Sequence, residues 1–240
     1  MTADRVAAIH RPRIHEQVID ILLQRMVNQI YPVGTKLPTE RSLAAEFGVN
    51  RATVREALRY LENLELVAIR QGDGARVREY RQSGNPQTAK ALMRVDAAMQ
   101  REVLSAVLEV RRVACPEIAY LAALRRTSAN LALLREAVFE LPEASILERD
   151  RLVHHHIGQA SQNLIYILNT NFYASFFDYA EDLYFDQPEN AERSRQFHHE
   201  IYTAIDRQNA SDARDVMGAA LAYAEKAIYA ALEKREASGA

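Results

Sequence analysis

The 240 residues carry 30 Lys and Arg against 32 Asp and Glu, are 48% hydrophobic and 26% charged, and include only eight glycines and seven prolines. That balance excludes a disordered, collagen-like or coiled-coil chain, and the scarcity of turn formers excludes a barrel or sandwich of many short strands, leaving a mainly α protein. The single cysteine, Cys115, excludes an internal disulfide and is expected as a structural residue of a helix in a cytoplasmic protein.

Charge is uneven along the chain: residues 1–78 hold 12 Lys and Arg against 9 Asp and Glu, whereas residues 79–240 hold 18 against 23. The two parts are therefore expected to meet different partners. Asp4, Glu16 and Asp20 interrupt the first 30 residues, so no signal peptide is expected. The uncharged stretch 163–177 is broken by Asn163, Asn169 and Asn171 and falls short of the roughly 18–20 apolar residues of a bilayer span. No membrane segment is expected.

In chain order, residues 13–30 place Ile14, Val18, Ile21, Leu22, Met26 and Ile30 on one face of an amphipathic helix that stops before Tyr31-Pro32-Val33-Gly34. Pro38-Thr39-Glu40-Arg41 opens a short helix with Leu43, Ala44 and Phe47 inward, and Gly48 ends it. Asn50 caps a third helix, whose rear carries Val54, Leu58, Leu61 and Leu64 and whose front carries Arg51, Thr53 and Arg55. Helix, glycine turn and capped helix is the grammar of a helix-turn-helix, whose second helix enters the major groove, where Arg bonds a guanine edge with two donors. Residues 67–70 and 75–78 then read as two strands joined by Gln71-Gly72-Asp73-Gly74, a hairpin that completes a winged helix.

A polar, turn-prone segment, 81–87, marks a boundary. We read residues 1–78 as a DNA-binding domain, 79–87 as a linker and 88–240 as an all-helical domain. From Met99 onward apolar residues recur at helical spacing: Val103, Val107, Val110, Ala114, Ile118 and Leu121, and later Leu164, Ile167, Leu168, Phe172 and Phe176. Breaks at 126–128, Pro142, 162–163, Pro188 and 209–212 divide this part into six or seven helices of an antiparallel bundle.

The run LPTERSLAAEFGVNRATVREALRYLENLELVAIRQGDGARV resembles the winged-helix domain of the GntR family of bacterial transcriptional regulators, the likeness covering residues 13–78. It implies that Arg41, Arg51 and Arg55 contact phosphates and bases, that Thr53 approaches the groove edge, and that Gln71 and Gly72 lie at the minor groove. Glu109-x-Arg111, Asp150-x3-His154 and His198-x2-Ile201-x2-Ala204-Ile205 are similar to the FadR-type effector domain, FCD, of the same family. There an Asp and three His hold a divalent metal (Zn, Ni or Mn) that receives a carboxylate effector. The resemblance points to Asp150, His154 and His198 as ligands and to Arg111 as an effector contact, with Ala220 where the third His is expected.

Asn163-x-Ile165-Tyr166, Asn171 and Tyr184-Phe185-x-x-Pro188-Glu189 resemble instead the metal-free, fatty-acid-responsive branch of the family. That likeness implies an acyl-CoA held along Tyr166, Tyr173, Tyr179 and Tyr184, although His154, Ala222 and Lys226 depart from its pattern. Both effector classes stay open. The expected protein is a homodimeric transcription factor on a palindromic double-stranded DNA operator, not an enzyme. The alternatives are a metal-dependent hydrolase using Asp150, His154 and His198 to activate water, and a ligand-independent DNA-binding protein.

Overall fold

The computed structural model describes residues 14–238, the side chains of 177–182, 236 and 238 excepted. The chain divides into two compact units after Val103.

In the first unit, α1 (Ile14–Val27), α2 (Glu40–Phe47) and α3 (Arg51–Asn63) precede an antiparallel hairpin of β1 (Val67–Arg70) and β2 (Gly74–Val77), paired from Val67 with Val77 to Arg70 with Gly74. The buried stripe of α1 is Val18, Ile19, Leu22, Leu23 and Met26, wider than the single row read from the sequence. Ile14 and Ile30 are 61% and 63% exposed: the first begins the helix, and the second follows Gln29, whose φ of 59° turns the chain off the helical path. Thr39 caps α2, and Gly48, at φ 65°, ends it in the left-handed conformation. Asn50 Oδ1 accepts the Thr53 amide at 2.9 Å and caps α3 as expected. Val54, Ala57, Leu58 and Leu61 bury the rear of α3.

A feature absent from the sequence reading is a third strip of chain beside the hairpin. Leu37 N donates to Ala75 O at 2.8 Å, Gly34 N to Val77 O at 2.9 Å and Val77 N to Thr35 O at 3.0 Å, so the segment after α1 is tied along β2.

Residues 79–87 do not form an extended linker. They fold into α4 (Tyr80–Ser83) and the start of α5 (Pro86–Leu92), the latter with a capping box between Asn85 and Thr88 and a proline at its first turn. The end of α3 explains why: its last carbonyls lack intrahelical donors. Asn85 Nδ2 donates to Asn63 O at 2.9 Å, Thr88 Oγ1 to Leu64 O at 2.8 Å and Ser83 Oγ to Glu65 O at 2.8 Å. Composition marked these residues as turn-prone, but their polar side chains are used as donors.

The second unit continues α6 (Ala97–Arg125), which crosses the division, and adds α7 (Ser128–Phe139), α8 (Ile146–Ala160), α9 (Leu164–Tyr184), α10 (Pro188–Asp206) and α11 (Ala210–Ser238). The breaks fall where the sequence placed them: Thr127 with Asn130, Ser145 with Glu148 and Asn209 with the Asp212 amide cap the starts of α7, α8 and α11, and Pro188 in the first turn starts α10 without a side-chain cap. α10 packs against α7, α8 and α11, and α9 against α8 and α11. Leu104, Leu108, Leu183, Ile228 and Leu232 form one buried cluster. α6 buries Val103, Val107 and Ile118 as the spacing predicts, but Val110 is 52% exposed, and Leu104, Leu108, Cys115, Ala119 and Ala122 are buried as well, a wider stripe than the one read from the sequence. Burial also raises the Cys115 thiol above its usual range, which suits a structural residue.

α8 and α9 approach closely at Gly158, where a Cβ would stand 2.7 Å from Thr170 Oγ1. Gly158→Ala is expected to force these helices apart and to lower unfolding free energy by about 1–3 kcal/mol, read as a lower urea midpoint at unchanged m-value.

Candidate functional site

Two sites emerge, one in each unit. In the first, the capped amino-terminal turn of α3 stands clear of the core. Arg41, Arg51, Arg55 and Arg59 are exposed and Thr53 is half-buried, its amide and hydroxyl both engaged with Asn50 Oδ1. Arg51, Arg55 and Arg59 recur every four residues and share one face. Arg59 escaped the sequence reading, though the spacing carried its signal. Gln71 and Gly72 are exposed at the tip of the hairpin, with Gly72 at φ 80° and Gly74 at φ 89°. Asp73 gathers two cations there, Lys36 Nζ at 3.2 Å and Arg76 Nε at 3.0 Å.

Arg55 differs from its neighbours. Its Nε lies 3.0 Å from Glu40 Oε1 and its Nη2 2.7 Å from Glu40 Oε2, a two-pronged pair that joins the first turn of α2 to α3. The same pair holds the Glu40 carboxyl below its usual range. Arg55 thus sets the angle between the two helices with one edge of its guanidinium, whereas Arg41, Arg51 and Arg59 carry no hydrogen bond or ion pair among the described residues.

In the second unit, α8 and α10 bring together Asp150, His154 and His198. Asp150 is 6% and His198 1% exposed. His198 Nε2 is 2.9 Å from Asp150 Oδ1, and His154 Nε2 is 3.7 Å from Asp150 Oδ2. An ionised carboxylate only accepts, so the bond requires the proton on His198 Nε2. Burial pushes the Asp150 carboxyl upward, but the two imidazoles and the Arg111 guanidinium outweigh it and hold the group below the usual carboxylate range. Burial brings the His154 imidazole down to about 4 against the pull of Asp150, which leaves it neutral at physiological pH.

Asp150 and His154 open onto a cavity of about 80 Å³ whose wall also includes Arg111, Tyr184, Arg193, Ser194, Phe185, Phe197, Ala220 and Ile228. Burial pushes the Tyr184 hydroxyl up to about 12. Arg193 stacks over Tyr223 and donates to Gln196 at 2.9 Å. Of the tyrosines expected at the effector, Tyr184 lines this cavity, Tyr173 is buried beside a smaller one with Arg111 and Cys115, Tyr166 lines neither, and the Tyr179 side chain lies outside the described residues. Periodicity missed Arg193 and the α11 wall because the cavity is made by packing, not by spacing along one helix.

The donor set for a metal is incomplete. Ala220 presents a methyl group to the cavity where the resemblance calls for a third imidazole, and His198 is already bonded to Asp150. Among the described residues no group of three or more His, Cys, Asp or Glu side chains is arranged to hold a metal ion. No helix among them is long and apolar enough to cross a membrane.

Comparison with known proteins places both units. The model of "Bacterial regulatory proteins, gntR family" matches residues 14–77, and that of the FCD domain matches residues 106–223. The transcriptional regulator LutR of Bacillus subtilis is 30% identical over 81% of this chain and 92% of its own length. A fatty acid metabolism regulator protein of Shewanella is 24% identical over 78% of each chain. Several mycobacterial regulators align over only 54% of their own length. The solved structure of Lar, a regulator of the Listeria monocytogenes agr system, shares the fold at a TM-score of 0.55 and 17% identity, covering 91% of this chain and 98% of that one.

Ala220→His is expected to complete a four-donor set with Asp150, His154 and His198. Calorimetric titration of the chelator-treated proteins with zinc should show the variant binding tighter than the parent by about tenfold or more. Equal affinity would mean that position 220 does not face Asp150.

Proposed function

Because the chain belongs to the gntR family of bacterial regulatory proteins and carries an FCD effector domain, the assignments of transcriptional regulators rather than enzymes, we propose that it acts as a homodimer. In this reading it binds a palindromic operator through α3 and the hairpin, and a small carboxylic acid in the Asp150 cavity sets its operator affinity. The observation that carries the DNA reading is the capped first turn of α3 with Arg41, Arg51 and Arg59 exposed and, among the described residues, in no hydrogen bond or ion pair, the charges of Arg51 and Arg59 being felt only at Glu40. A 13-residue helix is about 20 Å long and fits a major groove about 12 Å wide end-on at its amino terminus. Arg51, the first residue of α3, is assigned to base edges, Arg41 and Arg59 to phosphates, and Gln71 and Gly72 to the minor groove.

For a second copy, the second unit offers exposed apolar side chains on two helices: Val110, Val113 and Leu124 on α6 and Leu164, Ile165 and Leu168 on α9 are each at least 50% exposed.

For the effector, Arg111 and Arg193 supply charge for a carboxylate, and Phe185, Phe197 and Ile228 supply an apolar wall. A cavity of about 80 Å³ has room for a few waters, which corresponds to a short acid. The second reading, a fatty acyl effector, draws on the likeness to the Shewanella fatty acid regulator and on the same apolar wall, and it requires the cavity to widen. In either case the ligand alters DNA affinity only through unequal binding to the operator-competent and incompetent forms.

The test is selection of genomic fragments by the purified protein, followed by footprinting and titration of the selected site. Two protected half-sites about one helical turn apart are expected. Arg51→Ala should cost about 1–3 kcal/mol of specific binding with unchanged melting, and unaltered affinity would remove α3 from the base-reading role. A panel of short acids and acyl-CoAs added to the complex separates the two effector readings, and Arg193→Gln should blunt the response to the active compound.

A further inference from the structure

We propose that Glu40 is a specificity-determining residue of the operator contact: it holds one edge of the Arg55 guanidinium, so that the other edge reads a guanine and the charge is withheld from phosphates. The inference rests on the operator reading above and adds to it a positioning residue that itself touches no base. Glu40 is the first residue of α2, and Thr39, whose side chain accepts the Ser42 amide, fixes that turn. The Glu40 carboxylate accepts Arg55 Nε at 3.0 Å and Nη2 at 2.7 Å. Arg41, Arg51 and Arg59 carry no such bond among the described residues, so one arginine of the four is singled out.

A guanidinium has five N–H donors in a planar fork. In Arg55 the side edge, Nε–H with one Nη2 hydrogen, is taken by Glu40, and Nη1 has no partner among the described residues. What remains is the end-on pair, one hydrogen on Nη1 and one on Nη2, the geometry that meets O6 and N7 of a guanine. Arg55 stands four residues beyond Arg51, about 6 Å along the helix axis, within the depth of about 8.5 Å of a major groove that α3 enters by its amino terminus. The two acceptors available there respond differently to the carboxylate. A phosphate carries a full charge, is repelled by Glu40 and gains little from a cation already matched. The guanine acceptors are neutral and take the fork without that repulsion. The pair also orders a side chain that is 53% exposed, so the fork is preorganised. Glu40 is thus the repulsive element against backbone contact that a difference of affinities needs.

The full-length protein is titrated over a salt series onto its selected operator and onto a scrambled duplex. It is also titrated onto operators carrying 7-deazaguanine, which lacks the N7 acceptor, at one guanine of each half-site at a time. The parent is expected to bind about fivefold or more weakly when one particular guanine is replaced. In Glu40→Gln that sensitivity disappears, the ratio of operator to scrambled affinity falls about tenfold, and the slope of log affinity against log salt on scrambled DNA steepens by about 0.9, one more phosphate contact. Arg55→Lys, which keeps the charge but cannot fork, should lose the same guanine sensitivity. Both variants are expected to melt as the parent does, because the pair lies at the surface. Equal changes on the operator and the scrambled duplex, an unmoved salt slope in Glu40→Gln, a guanine sensitivity that survives in either variant, or no sensitive guanine in the parent would each overturn the proposal. A parent that selects no DNA overturns the operator reading as well, whereas each of the other results leaves that reading standing.

Discussion

The effector unit is organised around one buried charge. A carboxylate withdrawn from water is tolerated only with close compensation, and Asp150 obtains it from the hydrogen bond of His198 on α10 and the charge of Arg111 on α6. That requirement fixes which faces of α8 and α10 meet and keeps apolar side chains from filling the space beside the charge. The cavity follows from it, because the volume next to an ionised, hydrogen-bonded carboxylate is left to a ligand or water. Ala220, in the wall of that cavity, contributes only a methyl group to it and so leaves the space open.

The DNA-binding unit is organised differently, by backbone satisfaction. Asn50 and Thr39 occupy the free amides at the starts of α3 and α2, Gly48 supplies the left-handed turn between them, and Glu40 grips Arg55 across that turn. These contacts are all at the surface and individually worth little, yet together they leave the first turn of α3 no alternative orientation. The exposed arginines can then act as readers because other groups already hold the helix.

Whether a feature was legible in the sequence depended on its range. The helix starts at Thr39, Asn50 and Ser128 are legible because a cap and its amide lie within three residues of one another, the start at Pro188 because proline suits a first helical turn, and the hairpin because Gly72 and Gly74 hold a positive φ cheaply. The approach of Asp150, His154 and His198 was anticipated through resemblance. Contacts separated by long stretches of chain left no local trace. Glu40 and Arg55 are 15 residues apart, Lys36 and Asp73 are 37 apart, and the cavity wall draws on α6, α8, α9, α10 and α11 at once. Helical registers erred where an apolar residue was counted without asking what it faces, as at Val110 and Leu164, both of which are exposed.

The three hydrogen bonds from Ser83, Asn85 and Thr88 onto the end of α3 bear on how such regulators exchange parts in evolution. A crossover at residue 78, just past the last strand of the hairpin, would deliver a DNA-binding module with three carbonyls stripped of their donors and Leu64 and Leu66 uncovered. A crossover beyond α5 carries its own closure with it. Recombination that preserves folding is therefore biased toward inheriting α4 and α5 together with the reader of DNA, so that the heritable unit is longer than the part that touches the operator.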